Sequence, residues 1–192
     1  MKITFAIAVA VVAAGSAVAA PVKYTIDSNH TYPSIETDHF GGLSTFRGKF
    51  NSTSGTIVLD REAGSGTLEV TIDAASIDLG HDKLNEHIKA DAAMLDTKKF
   101  PTATYSGKLT KFVNGAPTEV DGTLTLRGVS KPVTLKIDQF GCRPHPMQKK
   151  EVCGAHATGT INRDEFGVTY GKDYGFKMAT KLDIQVEALK AD

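Results

Sequence analysis

The sequence predicts an all-β fold, an antiparallel barrel of about eight strands with one short amphipathic helix. Apolar and polar residues alternate in short segments that Gly, Pro, Asn, Asp and Ser separate, which is typical of strands joined by turns. A parallel sheet would need a helix between successive strands, and only one segment has helical spacing. The number of strands favours a barrel, which at this size can hold one small ligand.

The alternation assigns faces to the predicted strands. In TLEVTIDAASID, Leu68, Val70 and Ile72 face one way. In TYPSIETDHF, Ile35 and His39 share a face that we take to be inward. The other predicted strands are KYTID, FRGKF, GTIVLD, TATYSGKLTKF, DGTLTLRG, KPVTLKIDQF, HATGTINRDEF and MATKLDIQVEAL.

Residues 80–96, GHDKLNEHIKADAAMLD, form the one segment with the spacing of a helix. Asp78 is the expected N-cap, Lys98 and Lys99 suit the C-terminal end of the helix dipole, and Pro101 prevents extension. We expect the helix to close the mouth of the barrel or to cover one wall with its apolar stripe. That stripe consists of Leu84, Ile88, Ala92 and Leu95.

The N-terminus has the features of a secretory signal peptide that spans residues 1–19. Lys2 precedes an apolar run, residues 3–14, that is shorter than the about 20 residues a membrane span needs. Ala17-Val18-Ala19 then has the small-x-small pattern that signal peptidase cuts. No second run of this kind follows, so we expect no transmembrane segment, and residues 20–192 are predicted to form one domain.

The charge balance restricts the classes of partner. Lys and Arg together equal Asp and Glu in number, 22 of each, and the predicted leader contains a single Lys. The domain is therefore close to neutral. This balance excludes nucleic acids and anionic membranes as partners recognised by bulk charge.

The two cysteines are predicted to form a disulfide. A secreted chain meets an oxidising compartment, and Cys142 and Cys153, with ten residues between them, could staple a hairpin. Such a loop would stabilise the fold by about 3 kcal/mol in the chain-entropy model. A metal or redox pair is the alternative, which the spacing disfavours because it is far from C-x-x-C.

The histidines do not form an evident catalytic or metal-binding set. His81 and His87 lie six positions apart, so they point about a third of a turn away from each other on a helix. His30 and His39 fall on opposite faces of one strand, and a buried, hydrogen-bonded imidazole is the simpler interpretation of His39.

Local signatures of enzymes are missing from the chain. It has no G-x-S-x-G elbow, no P-loop and no dinucleotide fingerprint, although a triad assembled in space leaves no such signature. We therefore predict no catalytic residue, no metal and no cofactor. A barrel that binds an apolar ligand is the better expectation.

Three segments together resemble the YceI-like family of secreted polyisoprenoid-binding proteins: KKFPTATYSGKLTKF, DGTLTLRGVSKPVTLKI and INRDEFGV. The N-terminal DSNHTYPSIETDHFGGLSTFRGKF is also similar, and the resemblance covers essentially all of residues 20–192. It implies a lipocalin-like barrel with the helix near its mouth and a long hydrophobic channel. The implied ligand is an isoprenoid chain of quinone or polyprenol type, and the implied setting is a periplasmic homodimer.

Some features depart from the family pattern. Asn85 stands where the family tends to have Asp, and Met94 and Leu95 stand where it often has two Phe. Met and Leu are smaller and more flexible, so the adjacent end of the pocket is predicted to be wider or to suit a different chain length. The segment FGCRPHPMQKKEVCGAH is longer than a tight hairpin needs, and its disulfide is expected to be particular to this branch.

We predict that inward-facing strand residues and the apolar side of the helix hold the ligand. Tyr105 and His39 are the best candidates to contact a polar head group, because each side chain has a hydrogen-bonding tip. Ordinary core packing is the alternative role for each residue. The predicted ligand-binding residues are Ile35, His39, Ile72, Leu84, Ile88, Met94, Phe100, Tyr105, Leu124, Phe166 and Ile184.

The predicted function is non-catalytic binding of a long isoprenoid lipid for carriage or storage, with each buried CH₂ group worth about 0.8 kcal/mol. Three alternatives remain open at this point. A lipid-modifying enzyme would need His39 paired with a carboxylate in the cavity. A ligand-free stress or structural protein would have its barrel filled by side chains. A haem or metal protein would use the histidines.

Overall fold

A computed structural model describes residues 20–192, and the predicted leader, residues 1–19, lies outside them. In the described residues one α-helix, α1, spans Asp82–Ala90. None of the helices in this part is both long and apolar enough to cross a membrane. The strands are β1 (Val22–Ile26), β2 (Tyr32–His39), β3 (Ser44–Phe50), β4 (Thr53–Asp60), β5 (Ser65–Asp73), β6 (Ile77–Asp78), β7 (Thr102–Thr110), β8 (Glu119–Leu126), β9 (Val129–Pro144), β10 (Glu151–Asn162) and β11 (Ala179–Lys190), with 3₁₀ segments at Ala74–Ser76, Arg163–Phe166 and Lys172–Tyr174.

Eight strands close into a ring in the order β1-β4-β5-β7-β8-β9-β10-β11, and β11 pairs back onto β1. Every pairing in the sheet is antiparallel. The predicted antiparallel barrel of about eight strands with one helix is confirmed. Closure leaves the ring without a free edge, so its backbone hydrogen bonds are satisfied within the barrel.

Three further strands, β2, β3 and β6, extend the sheet beyond this ring. Residues 180–185 of β11 pair with β2, whereas residues 188–190 of the same strand pair with β1. β1 and β2 therefore share one edge of β11, and the barrel wall has two levels. We call the end at the β2–β3 turn, residues 40–43, the upper end, and the end at the β9–β10 turn, residues 145–150, the lower end.

At the upper end, α1 and the segment that follows it, residues 91–101, complete the wall. Within the described chain β6 pairs only with β3, and it leads directly into α1. The N–H of Thr169 donates to the carbonyl of Ala93 at 2.8 Å, and Arg127 Nη2 donates to the carbonyl of Ala92 at 2.8 Å. The helical segment is thus fastened to the loops that follow β8 and β10.

Helix α1 begins at a different cap from the one predicted. His81 is the N-cap, and its Nδ1 accepts a hydrogen bond from the N–H of Leu84 at 3.2 Å. Asp78 instead accepts from Asn85 Nδ2 at 3.0 Å, while Asn85 Oδ1 accepts from the N–H of Leu79 at 2.8 Å. The prediction of Asp78 was wrong because an imidazole three residues before Leu84 already satisfies the free N–H group.

The helix is also shorter than the predicted segment. It ends at Ala90, so Ala92 and Leu95 lie beyond it and only the first half of the predicted stripe is helical. Asp91 adopts an extended backbone conformation, and its carboxylate accepts from the N–H of Ala93 at 2.7 Å. An acidic side chain that bonds the nearby backbone offers the chain an alternative to another helical turn, which explains the early end.

The cysteine-containing segment forms strands at the lower end. β9 continues to Pro144 and β10 begins at Glu151, so a short turn joins two long strands. Cys142 lies directly opposite Cys153, and their sulfur atoms are bonded at 2.06 Å. The predicted disulfide is confirmed. The crosslink holds the extended hairpin in register at the closed end of the barrel.

The packed core lies toward the lower end and along the adjoining walls. Tyr24, Leu59, Val120 and Ala188 have almost no contact with solvent. Toward the upper end Phe166 is equally buried, whereas several inward-facing strand residues are only partly covered. These partly covered strand faces surround the cavity.

Candidate functional site

A cavity of about 650 Å³ occupies the interior of the barrel. Volumes of about 300–1,000 Å³ are typical of sites for small molecules. Along β11 the lining runs from Thr180 to Ala188, a length of roughly 26 Å at about 3.3 Å per strand residue. The cavity is therefore a channel along the strands, with the shape of a chain-like ligand.

The channel is lined mainly by apolar side chains, and these side chains do not pack fully against one another. Ile57, Leu68, Val70, Leu182 and Ile184 point into the barrel, yet each is only partly buried. Side chains that fill a core are normally in contact on all sides, as in the interiors of most domains. Much of the interior is therefore hollow, which contradicts the alternative of a barrel filled by its own side chains.

The lower end of the channel is closed by packed side chains. Tyr24, Leu59, Pro117 and Val120 line this end and are buried. The hydroxyl of Tyr24 donates to Glu151 Oε1 at 2.5 Å. Burial, together with the adjacent Glu151 carboxylate, raises the pKa of Tyr24 to about 12, so the phenol stays neutral at physiological pH.

The upper end of the channel is open. Lining residues that also face solvent are found there, on the β2–β3 turn, on α1 and on the segment after β10: Phe40, His87, Tyr170 and Tyr174. The rings of His87 and Tyr170 meet edge to face at 5.2 Å between centroids. A ligand therefore has one evident route into the channel, past these rings.

Tyr105 lies in the channel wall with its hydroxyl committed to the backbone. The hydroxyl donates to the carbonyl of Val133 at 2.8 Å, and burial raises the pKa of Tyr105. Gly122 makes room for the ring, since a Cβ at that position would lie 2.4 Å from Tyr105 Cζ. Tyr105 can thus offer a ligand its ring and an acceptor lone pair but no proton. Contact with a head group stays a prediction.

His39 lies at the upper end among three aromatic rings. Ring centroids of Phe40, Phe46 and Phe176 are 4.5, 4.7 and 4.9 Å from the imidazole. The Nδ1 atom shares a hydrogen bond of 3.2 Å with Ser44 Oγ. Among residues 20–192 no carboxylate is hydrogen-bonded to His39, although the enzymatic alternative needs such a pair.

The structure brings most of the predicted ligand-binding residues to one channel. Phe100 and Phe166 are not among the residues that line it. Whether the nine lining residues touch a ligand stays a prediction. Those nine are Ile35, His39, Ile72, Leu84, Ile88, Met94, Tyr105, Leu124 and Ile184.

Phe100 and Phe166 lie outside the regular strands, which explains their placement. Phe166 ends a 3₁₀ segment and is buried in the packed core. Phe100 precedes β7, and its ring lies 5.1 Å from the guanidinium of Arg127. Period-two alternation assigns faces only within a strand, so it carries no information at these two positions.

Sequence reasoning missed several lining residues at the upper end. Phe46 and Phe50 of β3 line the channel, and their period-two spacing in FRGKF was a usable signal. Arg163 also lines it, and its Nη1 and Nη2 donate to the carbonyls of Val168 and Tyr170 at 2.9 and 2.8 Å. Burial lowers the pKa of the Arg163 guanidinium. No local sequence signal predicts that Arg163, at the start of a 3₁₀ segment, would lie at the channel wall.

The described residues contain one cluster with metal-ligand spacing, formed by Cys142, Glu151 and Cys153. Both sulfur atoms belong to the disulfide and are therefore not the thiolates that bind metals. His81 is engaged as the helix N-cap, and His87 packs against Tyr170. The geometry thus lends no support to a site built on the helix histidines.

A family model for the YceI-like domain matches residues 24–188. The chain belongs to the YceI-like family. Protein YceI of Escherichia coli O6:H1 is 33% identical over 156 residues, covering 81% of this chain and 80% of that protein. Protein YceI of Salmonella arizonae is 34% identical over the same length with the same coverage. The resemblance seen in the sequence is confirmed.

Solved structures of other bacterial proteins share the fold. The Campylobacter jejuni YCEI protein is 26% identical, with a TM-score of 0.65 over 78% of this chain and 88% of that one. Burkholderia cenocepacia BcnA is 21% identical, with a TM-score of 0.66 over 84% and 98%. A structure described as a polyisoprenoid binding domain from Saccharophagus degradans is 15% identical, with a TM-score of 0.62 over 88% and 99%. At these last two identities the likeness concerns the fold alone.

Proposed function

We propose that this YceI-like protein binds a long isoprenoid lipid, of quinone or polyprenol type, in its channel and carries or stores it without catalysing a reaction. The observation that carries the proposal is the hollow apolar channel, closed below and open above. A long apolar interior with one open end suits a flexible, chain-like ligand.

The energetics of the channel suit an isoprenoid tail. Each buried CH₂ group contributes about 0.8 kcal/mol of transfer free energy, so a long chain can be retained with few polar contacts. The channel has few polar groups along its shaft, and the acidic, basic and histidine side chains of its lining, Asp38, His39, His87 and Arg163, all lie at the upper end. A tail placed in the shaft would leave a polar head beside these groups.

Family membership supports the same ligand class. One structural neighbour is described as a polyisoprenoid binding domain, and this chain shares its fold. The signal peptide predicted for residues 1–19 supports a periplasmic setting. In that setting an apolar lipid has to be shielded from water to move between membranes, which is the task that the channel would perform.

The test is the identification of lipid in protein purified from the periplasm without added lipid. Native mass spectrometry would give the mass of the complex, and solvent extraction would identify the released molecule. We expect one isoprenoid per barrel. Empty protein that also fails to take up quinones or polyprenols would overturn the proposal.

A further inference from the structure

The mouth of the channel carries a patch of exposed apolar side chains. Of the seven large apolar side chains that are well exposed in residues 20–192, four lie there, and we call Phe40, Leu43, Tyr170 and Tyr174 the rim patch. Leu43 is 80% exposed, Tyr174 71% and Phe40 55%. Clusters of exposed apolar residues on a protein surface mark interaction sites, whereas isolated ones are ordinary.

The two loops that carry the rim patch are in contact with each other. A Cβ at Gly41 in the β2–β3 turn would lie 3.3 Å from the carbonyl oxygen of Gly175. The N–H of Lys177 donates to the carboxylate of Asp38 at 2.9 Å and ties the end of β2, next to the turn, to the segment before β11. The rim patch is therefore one continuous surface.

The rim patch also continues the lining of the channel. Phe40, Tyr170 and Tyr174 line the channel and face solvent, whereas Leu43 stands outside it at the tip of the turn. An apolar path thus leads from the interior through the mouth to the outer surface. Moving a long lipid through water costs free energy for every methylene group that is exposed. A continuous apolar path therefore favours direct passage between the channel and another apolar phase.

The backbone of the turn holds its aromatic residue in an unusual conformation. Phe40 has φ of +51°, and Gly41 and Gly42 follow with φ of +64° and +104°. The left-handed region is unfavourable for a bulky residue, and such positions concentrate where function requires them. This turn places Phe40 at the mouth, where the residue is still 55% exposed, and leaves Leu43 at the tip of the turn facing solvent.

The charged groups around the rim patch come in both signs. Lys172 donates to Asp164 at 2.8 Å, and Arg47 donates to Glu36 at 2.9 Å. The surface around the mouth is therefore apolar with locally balanced charge. Such a surface suits a bilayer of zwitterionic lipids, where Tyr side chains favour the interface between head groups and acyl chains, and it has no excess of Lys or Arg for anionic lipids.

We propose that the rim patch docks onto the surface of a phospholipid bilayer, with Leu43 and Tyr174 entering the interface, so that lipid passes directly between membrane and channel. This inference rests on the proposed function, because it assigns the route by which the lipid enters and leaves. Docking by insertion of a few side chains would be reversible, as a carrier requires.

The chain contains no Trp, so a single introduced Trp reports its own surroundings. In Leu43→Trp the indole emission should shift to shorter wavelength when phosphatidylcholine vesicles are added. Met147→Trp is the matched control, since Met147 is 82% exposed in the turn at the opposite end. An unshifted Leu43→Trp would overturn docking. A shift that follows protein concentration without vesicles would overturn it in favour of contact with a second copy.

A second experiment measures exchange of a dansyl-labelled polyprenol between phosphatidylcholine vesicles and the protein. Leu43→Asp should slow uptake at least about tenfold, equivalent to about 1.4 kcal/mol, with unchanged Tm, whereas Met147→Asp should match the wild type. Equal rates in both variants would refute docking while leaving the proposed function intact. Absence of uptake by every variant, the wild type included, would refute the proposed function, and the Trp emission would still decide docking.

Discussion

The two ends of this barrel are built from the same kind of strand but differ in how their side chains are used. At the lower end Tyr24, Leu59 and Ala188 are packed and a disulfide crosslinks the long hairpin. At the upper end strands give way to α1 and loops, and several apolar side chains face an open interior or solvent. Apolar residues thus stabilise the fold at one end and line an open channel at the other.

The difference shows how one fold reconciles stability with an open interior. A hollow barrel buries less apolar surface than a packed domain of the same size, and so gains less stability from burial. The closed ring and the crosslinked lower end supply stability that does not depend on filling the channel. Substitutions at the two ends should therefore separate into effects on the free energy of unfolding and effects on binding.

The largest effect is expected from removing the disulfide. Replacing both Cys142 and Cys153 with Ala should lower the free energy of unfolding by about 3 kcal/mol, because the crosslink restricts the unfolded chain. Urea denaturation with and without reductant would measure the change. If reductant left the wild-type midpoint unchanged while the disulfide was shown to be reduced, the lower end would not depend on this crosslink.

A slightly smaller loss is expected from Gly122→Ala. The new Cβ would lie 2.4 Å from Tyr105 Cζ, so the ring would have to move and its hydrogen bond to Val133 would be strained. Overpacking and loss of a buried hydrogen bond each cost about 1–3 kcal/mol, and we expect about 2 kcal/mol in total. Gly141→Ala is the matched control, since nothing lies within 4 Å of its Cβ. Equal Tm values for the two variants would contradict the tight fit.

Filling the channel should affect binding and not stability. In Ile184→Trp a larger apolar side chain would occupy space that is empty in the hollow barrel. We expect retention of isoprenoid to fall about tenfold, equivalent to about 1.4 kcal/mol, while Tm stays within a few degrees of the wild type. Lipid bound per barrel and thermal unfolding would be measured on the same samples. A large fall in Tm would indicate a packed interior at this position.

The smallest effect concerns pH and lies on the outer wall. His156 Nδ1 is 2.6 Å from Asp138 Oδ1, Nε2 is 3.2 Å from Asp183 Oδ1, and these hydrogen bonds raise the pKa of His156. The stabilisation is complete below the unfolded pKa of about 6.5 and is lost as pH rises through the higher folded pKa. Surface pairs contribute less than about 1 kcal/mol.

The comparison of wild type with His156→Asn isolates this contribution. His30 beside Asp27 also has a raised pKa, so part of the pH dependence should persist in the variant. We expect the difference in Tm between the two proteins to shrink as pH rises from about 6 to about 9, past the raised pKa. A difference that is constant across this range would show that the cluster carries no charge-dependent stability.

Local sequence patterns were sufficient to predict much of the fold. Period-two alternation identified most of the strands but missed the break between β5 and β6, the single helical segment excluded a parallel sheet, and the cysteine spacing predicted the Cys142–Cys153 pairing. These features depend on neighbours along the chain or directly across a hairpin. Nine of the eleven predicted ligand-binding residues line the channel, and for eight of them a strand face or a helix side determines direction locally, whereas Met94 lies beyond the end of α1.

Tertiary structure decided the features that depend on distant parts of the chain. Whether Ile184 would be packed or would face a hollow depended on how far the ring opens, and no local pattern encodes the diameter of a barrel. Phe100 and Phe166 do not line the channel because they lie outside the strands, where period-two alternation assigns no face. Sequence alone determined which residues point inward along each strand. Only the closure of β11 onto both β1 and β2 decided what those residues surround, because that pairing joins positions more than 140 residues apart.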